Sequence, residues 1–455
     1  MGGAAEHELG IGISFGAAPL DAREAALADA EFDFVEIPPQ HDLRASNAHR
    51  PHRSTVINSA WVPVGGSCEP DAMLLARLEE NVRLRRPAYV CEQLSFNRFP
   101  TASGPRATGY PLPPQHTPAG VAVAVKRIVQ LRERLHVPVA FEIGVRHFAK
   151  QPQELAAKDF HATIAEHARC GIVLDLAHLS AQNCDGYDSP GGLPARFPLD
   201  RIWEVQISAE APPEIRLLAE RLVPVLPALR AIVLEVRRQT RDDRRANLLP
   251  EQHAWLRSLW SARGSLARDA PSPSPRIVLP DEDEARARAS AWERSVVAGI
   301  TGLAAPGGRD AAAFAALGTL VANARGTAIA QAAEYSLRLL EATLGKRELV
   351  ALVRRYCSET HAEFSPANEA RQFLHFVERE RHDVPFLREV VAFERAAAAA
   401  LRCNSQTSVY FSCEPTEIFR ALLRRDRPYV SDRRPYTVHV GPGGIRIEGP
   451  FRQAG

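Results

Sequence analysis

The sequence predicts an α/β protein: a TIM-type (β/α)8 barrel followed by a mainly α-helical domain with a small C-terminal β-hairpin. Short apolar runs that end in polar residues alternate with helix-length segments over roughly the first 260 residues, the size and rhythm of an eight-stranded barrel. A Ser-, Pro-, Arg- and Asp-rich segment follows, and helical spacing then replaces strand patterns. We therefore predict a barrel at 1–265, a linker at 266–283 and a helical domain at 284–455.

The predicted barrel opens with a βαβ unit, whose strands at 10–15 and 32–37 flank a helix at 20–30. A Pro-, Gly- and Thr-rich segment at 98–119 is predicted to be a long loop, which in a barrel tends to lie over the active mouth. The remaining strands are predicted at 54–58, 88–94, 137–142, 171–175, 201–210 and 231–236.

The helical domain is predicted from apolar residues at helical spacing, with Gly345 as a C-cap. A hairpin is predicted from the strand-like runs 408–411 and 436–447, turning at 441–444. The helices are predicted at 284–303, 311–321, 328–344, 346–360, 367–380 and 384–401.

Composition narrows the class of protein. With 455 residues, 45% hydrophobic and 24% charged, the chain is an ordinary globular protein of two domains, and a net charge of +2 gives no reason to expect a nucleic-acid or membrane surface. Neither a signal-peptide pattern nor a run of membrane-spanning length is found, so we expect a cytoplasmic protein. Seven cysteines without CxxC spacing indicate reduced thiols, with Cys91 and Cys170 as core residues.

Ionisable residues end several of the predicted strands. Glu142, Asp175 with His178 three residues later, Gln206 and Glu235 would all meet at the C-terminal mouth of a parallel barrel. Borderline cations such as iron accept a mixed set of imidazole and carboxylates. The residues alone leave a magnesium site, a plain ion-pair network or simple helix capping equally open.

A run of short passages in one order resembles the multinuclear non-heme iron-dependent oxidative enzymes, the barrel family that includes the methanobactin biosynthesis oxidase. The resemblance spans residues 10 to about 260 and implies a mouth that holds two or three irons and activates oxygen to modify ribosomally made peptides. It also implies that Glu142, Asp175, His178 and Glu235 hold metal. The passages are 10–13, 33–36, 57–66, 90–96, 141–143, 174–178 and 205–210.

The chain departs from that family at several ligand positions. Asn58, Gln93 and Gln206 stand where the family pattern has histidine, Glu210 stands at another such position, and the expected downstream Asp-x-His segment is missing. An amide oxygen is a far weaker iron ligand than imidazole. We therefore expect either one metal, held by Glu142, Asp175 and His178, or a hydrated pocket without metal in which the substituted residues bind substrate.

The helical part resembles the family of DNA-binding-domain proteins that accompanies these oxidases as a partner. That resemblance implies a domain that docks on the barrel and recruits the precursor peptide; a nucleic-acid partner is not expected, because no basic recognition helix stands out. The passages are 335–340, 344–350, 356–361, 373–376 and 385–396.

The sequence thus predicts a natural fusion of an iron-oxidase-like barrel with its peptide-recruiting partner, acting on a ribosomal peptide or protein. Two alternatives stay open. One is a metal-free pseudoenzyme that binds a peptide or scaffolds another oxidase; the other is a divalent-metal isomerase or lyase, since a barrel does not fix its chemistry.

Overall fold

The computed structural model describes residues 8–14, 31–38, 54–181, 197–236, 244–265, 276–301, 310–363, 365–381, 383–403, 406–431 and 433–450. The chain divides into two compact units. Unit 1 comprises residues 1–105, 111–297 and 307–313, and unit 2 comprises residues 106–110, 298–306 and 314–455.

Unit 1 contains a closed barrel of eight parallel strands, which confirms the predicted fold class. The barrel strands are β1 (Gly10–Ser14), β2 (Phe34–Ile37), β3 (Ser54–Ser59), β4 (Val90–Gln93), β7 (Val139–Glu142), β8 (Gly171–Asp175), β9 (Ile202–Ser208) and β10 (Ala231–Glu235). Around the barrel they follow the order β1-β10-β9-β8-β7-β4-β3-β2, with parallel pairing throughout.

The strands are buried on both faces, because helices cover the outside and side chains fill the inside. A small interior cluster includes Phe34, Tyr89 and Val233, while a much larger cluster joins the outer faces of the strands to the surrounding helices. Cys91 and Cys170 are both buried, as predicted. Apolar side chains therefore fill the barrel interior near the N-terminal ends of the strands. Polar side chains lie nearer the C-terminal ends.

Local capping signals explain where the barrel helices begin. The Asp71 carboxylate accepts the N–H groups of Met73 and Leu74, and the Thr117 hydroxyl accepts that of Gly120, with Pro118 in the first turn. The predicted helix at 20–30 lies outside the described residues. The described helices are α1 (Ala72–Arg85), α2 (Pro118–Leu135), α3 (Ala157–Ala168), α4 (Leu176–Ala181), α5 (Pro213–Leu222) and α6 (Arg244–Ala262).

The loop prediction for 98–119 is wrong, because this region carries a β-hairpin. β5 (Phe96–Thr101) pairs with β6 (Gly104–Leu112), and the Thr101 hydroxyl donates to the Gly104 carbonyl across the turn. Proline has no N–H to donate, so it is excluded from central strands. A two-stranded ribbon tolerates it at positions where the N–H of another residue would point away from the partner strand. The proline-rich composition therefore marked an isolated ribbon rather than the absence of strands.

Helix α7 (Glu282–Ile300) follows the barrel, and its residues up to 297 belong to unit 1. The Glu293 carboxylate accepts both the N–H and the hydroxyl of Ser67, each at 2.6 Å. The Trp292 indole N–H donates to the Pro113 carbonyl at 3.2 Å, and its ring meets Phe148 edge to face. Helix α7 thus holds segments that follow β3, β6 and β7.

Unit 2 is mainly helical. Its helices are α8 (Ala311–Ala332), α9 (Glu334–Leu344), α10 (Lys346–Glu359), α11 (Pro366–Glu380), α12 (Leu387–Cys403) and α13 (Pro415–Leu423). The predicted gap at 322–327 is wrong, since α8 runs through it and the break falls at Ala333. There the Glu394 carboxylate accepts the N–H groups of Tyr335 and Ser336, so a residue far along the chain caps α9.

An antiparallel sheet ends unit 2 in the order β11-β12-β13. Its strands are β11 (Thr407–Phe411), β12 (Tyr436–Gly441) and β13 (Gly444–Glu448). The predicted hairpin between 436 and 447 is confirmed, and β11 adds a third strand beside β12. Among the described helices, none is both long and apolar enough to cross a bilayer.

Candidate metal centre

Three predicted ligands meet at the C-terminal rim of the barrel. Glu142 is the last residue of β7, Asp175 is the last residue of β8, and His178 lies in the first turn of α4. His178 Nδ1 is 3.3 Å from Glu142 Oε1 and 3.3 Å from Asp175 Oδ2. One ligand atom from each residue lies within 4.8 Å of the other two.

Asp175 both caps a helix and faces the site. Its Oδ1 accepts the N–H groups of Ala177 at 2.7 Å and His178 at 3.2 Å, which starts α4. Its Oδ2 remains directed at the His178 ring. The helix-capping interpretation and the ligand interpretation of Asp175 are therefore compatible, because different oxygens serve the two roles.

The His178 ring is held in a negative environment. Burial alone would lower the pKa of His178, but Glu142, Asp175 and Glu235 outweigh burial and raise it. His178 Nδ1 is nevertheless buried without a hydrogen bond of acceptable geometry, although two carboxylate oxygens lie at bonding distance. A nitrogen poorly aligned with both oxygens but close to them suits a shared cation, whose ligands lie at roughly 2.0–2.2 Å from the ion.

A second polar group lies deeper in the barrel. Gln206 Nε2 donates to Glu36 Oε2 at 3.0 Å and to Glu204 Oε1 at 2.7 Å, and the Tyr89 hydroxyl donates to Glu204 Oε2. All four side chains are buried. Burial, followed by the charge of Glu204, raises the pKa of Glu36 well above its usual range, and burial also raises the pKa of Glu204. The surroundings of both carboxyl groups therefore favour the protonated form over the ionised form.

Asn58 lies between the rim cluster and the interior polar group. Its Nδ2 lies 3.4 Å from Glu142 Oε2 at the rim and 3.4 Å from Glu36 Oε2 below. Both contacts are long for hydrogen bonds, so they orient the carboxylates more than they bind them. Because this N–H donor occupies the space between Glu36 and Glu142, a cation bridging these two carboxylates is disfavoured.

The other candidates lie around this group without joining it. Glu235, the last residue of β10, acts on His178 and Glu36 through its charge but is not among the three clustered ligands. Gln93 pairs with Glu142 in the sheet, and its carbonyl accepts the Val64 N–H at 3.0 Å. Glu210 is exposed, and its N–H donates to the Ser208 hydroxyl. For these three residues a ligand or substrate role stays a prediction.

Sequence reasoning missed the interior carboxylates. Glu204 and Gln206 are two residues apart on one strand, so they share a face, and that spacing was the available signal. Glu36 lies among apolar residues of β2 and gave no comparable signal. Burial also raises the pKa of Glu92, on the outer face of β4, to about 8. Its Oε2 accepts the Val62 N–H, while its Oε1 has no hydrogen bond among the described residues.

Fold and site together define a class: a parallel eight-stranded barrel whose C-terminal rim can hold a divalent cation between two carboxylates and an imidazole. Residues 10–217, slightly under half of the chain, match the family model described as "RiPP precursor modification enzyme MbnB/TglH/ChrH". RiPPs are ribosomally synthesised and post-translationally modified peptides. The matched part of the chain is thus similar to a family of enzymes that modify RiPP precursors.

Several solved structures are similar to part of this chain at low identity. A D-psicose 3-epimerase from Clostridium cellulolyticum H10 is 13% identical, covering 56% of this chain and 96% of its own, with a TM-score of 0.33. A D-allulose 3-epimerase from Methylomonas sp. is 13% identical over 56% and 96%, with a TM-score of 0.37. A 3-keto-D-glucoside 4-epimerase from E. coli is 12% identical over 55% and 99%, with a TM-score of 0.36. These values carry no information about chemistry. Among curated proteins, none matches significantly.

Proposed function

We propose that the protein is a non-heme iron oxidoreductase that modifies a ribosomally made peptide, with a single iron held by Glu142, Asp175 and His178. The observation that supports it is the rim cluster, in which an imidazole nitrogen without a well-aligned hydrogen bond lies 3.3 Å from two carboxylates. The family match over the barrel supports the class of substrate. Three protein ligands would leave open positions for oxygen and substrate.

The ligand set suits iron. Non-heme Fe(II) oxygenases bind iron through two imidazoles and one carboxylate, and this site offers the same ligand types as one imidazole and two carboxylates; iron there would supply oxygen activation. The chain's own residues contribute orientation: the α4 N-terminus fixes the Asp175 carboxylate, and Asn58 Nδ2 lies beside Glu142 Oε2, which leaves Oε1 facing His178. Glu235 adds negative charge on the same side of the barrel and is a candidate fourth ligand.

The interior amides limit the number of ions. Asn58 and Gln206 direct N–H donors at Glu36, and Gln206 directs a further one at Glu204. A side chain that donates N–H groups to a carboxylate occupies the place where a cation would bind it. We therefore propose fewer ions than the family of multinuclear enzymes holds, with the lower site replaced by hydrogen bonds.

In this proposal the helical part of the chain serves as the peptide-recruiting partner, fused to the barrel it assists. The resemblance of residues 335–396 to the partner family supports this role. The substrate would reach the barrel mouth as an extended peptide, because the rim ligands lie at the strand ends.

A pseudoenzyme is the competing proposal, and one observation favours it. The same hydrogen bonds that fill the lower site would keep the barrel polar, ordered and hydrated without any ion. Such a barrel could bind a peptide or scaffold another oxidase.

Metal analysis of protein purified from iron-supplied cells tests these proposals. We expect about one iron per chain, lost in His178→Ala and kept in Glu214→Gln, the control at an exposed carboxylate of helix α5. Iron below about 0.2 per chain, unchanged in His178→Ala, would support the pseudoenzyme instead. Stoichiometric zinc, manganese or magnesium would support an isomerase or lyase. Thermal unfolding of each variant separates metal loss from misfolding.

A further inference from the structure

The terminal sheet of unit 2 has an open edge at β13. The sheet order places β12 on one side of this strand, and within the described residues no strand pairs with its other side. An open edge presents unpaired backbone N–H and C=O groups, which natural proteins usually cover or blunt.

The register shows which backbone groups are open. Gly441 and Gly444 pair directly across a two-residue turn, so Gly444, Arg446 and Glu448 direct their N–H and C=O groups at β12. Ile445 and Ile447 alternate with them and direct theirs outward. A strand added to this edge must therefore form its hydrogen-bonded pairs with Ile445 and Ile447.

The same edge carries uncovered apolar side chains. Ile445 and Ile447 lie opposite Val440 and Val438 on the core-facing side of the sheet, where both valines are buried. The two isoleucines are nevertheless 59% and 43% exposed. On the opposite edge, the core-facing Val409 and Phe411 of β11 are buried. The core-facing apolar side chains are thus covered at the β11 edge of the sheet and exposed at the β13 edge.

The charges on the other face of β13 make the strand complementary to itself. Arg446 and Glu448 are two residues apart and carry opposite charges. In an antiparallel pair centred on Ile447, Ile447 faces Ile447 of a second copy and each Arg446 faces Glu448 of the other chain. A register shifted by one pair would set Arg446 against Arg446, which like charges disfavour.

We propose that β13 pairs with β13 of a second copy of this chain about a two-fold axis, forming one continuous six-stranded sheet. Arg446 Nη2 already lies 2.8 Å from Glu448 Oε1 within the strand, and His439 Nε2 lies 3.2 Å from Glu448 Oε2. The Arg446–Glu448 contact is solvent-exposed and worth little, so sharing Glu448 Oε1 with a second arginine requires no costly break, while the buried His439 Nε2 contacts the other oxygen. The pairing covers Ile447 and satisfies the outward backbone groups.

Charge reversal tests the register. Sedimentation velocity of the full chain from low-micromolar to submillimolar concentration should show a reversible monomer–dimer equilibrium. Arg446→Glu and Glu448→Arg should each weaken the dimer at least about tenfold, because two like-charge pairs replace two ion pairs. The double variant Arg446→Glu/Glu448→Arg should restore it, since the complementary pairs return.

A backbone variant tests the edge directly. Ile447→Pro removes an N–H that points away from β12, so the hairpin keeps its own hydrogen bonds while the dimer is lost. Tyr410→Lys, at an exposed position on β11, is the matched control and should leave the dimer unchanged. A protein that stays monomeric throughout, a dimer indifferent to Arg446→Glu, or an edge that pairs only with an added peptide would overturn the proposal. Circular dichroism confirms that each variant is folded.

Discussion

The barrel holds carboxylates at two levels, and their surroundings differ. At the rim, Glu142 and Asp175 face the ring of His178, whose Nδ1 has no aligned hydrogen bond. In the interior, Glu36 and Glu204 face amide and phenol donors, and burial raises the pKa of both carboxyl groups. The same residue type is thus open to a cation at one level and saturated with hydrogen bonds at the other.

The contrast shows that neither a carboxylate nor its burial identifies a metal site, because the donors around it decide. A neutral amide group donates hydrogen bonds to the carboxylate oxygens and so takes the place of a cation. An imidazole nitrogen directed at two carboxylates leaves room for a positive ion. Under the proposed function, two histidine-to-amide differences from the resembling family, at Asn58 and Gln206, would convert a ligand set into a hydrogen-bonded one.

The largest expected effect lies at the rim. Glu142→Gln keeps the size of the side chain but removes the charge, so we expect metal affinity to fall by at least about 100-fold, measured by metal titration of the apoprotein. Glu154→Gln is the control and should keep the metal. Its carboxylate also lies in the part of the chain that follows β7, but it is paired with Arg146 rather than with His178. Full metal retention in Glu142→Gln would place the ion elsewhere.

A smaller effect is expected in the interior, and it depends on pH. Because the pKa of Glu36 is raised in the folded protein, the folded state keeps a proton that the unfolded chain loses as pH rises above the ordinary carboxyl range. Stability should therefore fall with rising pH by up to about 1.4 kcal/mol per unit. Glu36→Gln should flatten this slope in urea unfolding series from pH 5 to pH 8, roughly one unit apart. Metal content should not change.

The smallest effect is expected at the floor of the interior group. Tyr89→Phe removes the hydroxyl that donates to Glu204, a loss of about 1–2 kcal/mol in unfolding free energy when a buried acceptor is left unpaired. Denaturant unfolding measures it, and the metal content should equal that of the wild type. A metal-deficient Tyr89→Phe protein would show that rim and interior act as one site.

Much of the architecture could be predicted from local pattern. Strands that end in Glu142, Asp175 and Glu235 are apolar runs with polar ends, and parallel closure brings those ends to one rim whatever the details of packing. Helix starts at Asp71 and Thr117 follow from capping within four residues. Such signals are short-range, so a single sequence contains them.

Two of the misses have a common cause, since each depends on residues far apart in the chain. The start of α9 depends on Glu394, and the raised pKa of Glu36 depends on burial inside the closed barrel and on Glu204. The residues next to Ala333 and Glu36 in the sequence give no sign of a helix break or of a raised pKa. The domain boundaries at 265 and 284 and the ligand role of Glu235 stay predictions.

Helix α7 has a consequence for where the chain can be cut. Glu293 and Trp292 anchor the segments that follow barrel strands β3 and β7 and the hairpin strand β6. A fragment ending at residue 265 would release those anchors and expose the apolar surface around Ala119 and Val123 that Ala285 covers. The shortest barrel fragment able to fold by itself should therefore extend to about residue 297. Limited proteolysis should leave helix α7 uncut, although the predicted boundary at 284 assigns it to the helical domain.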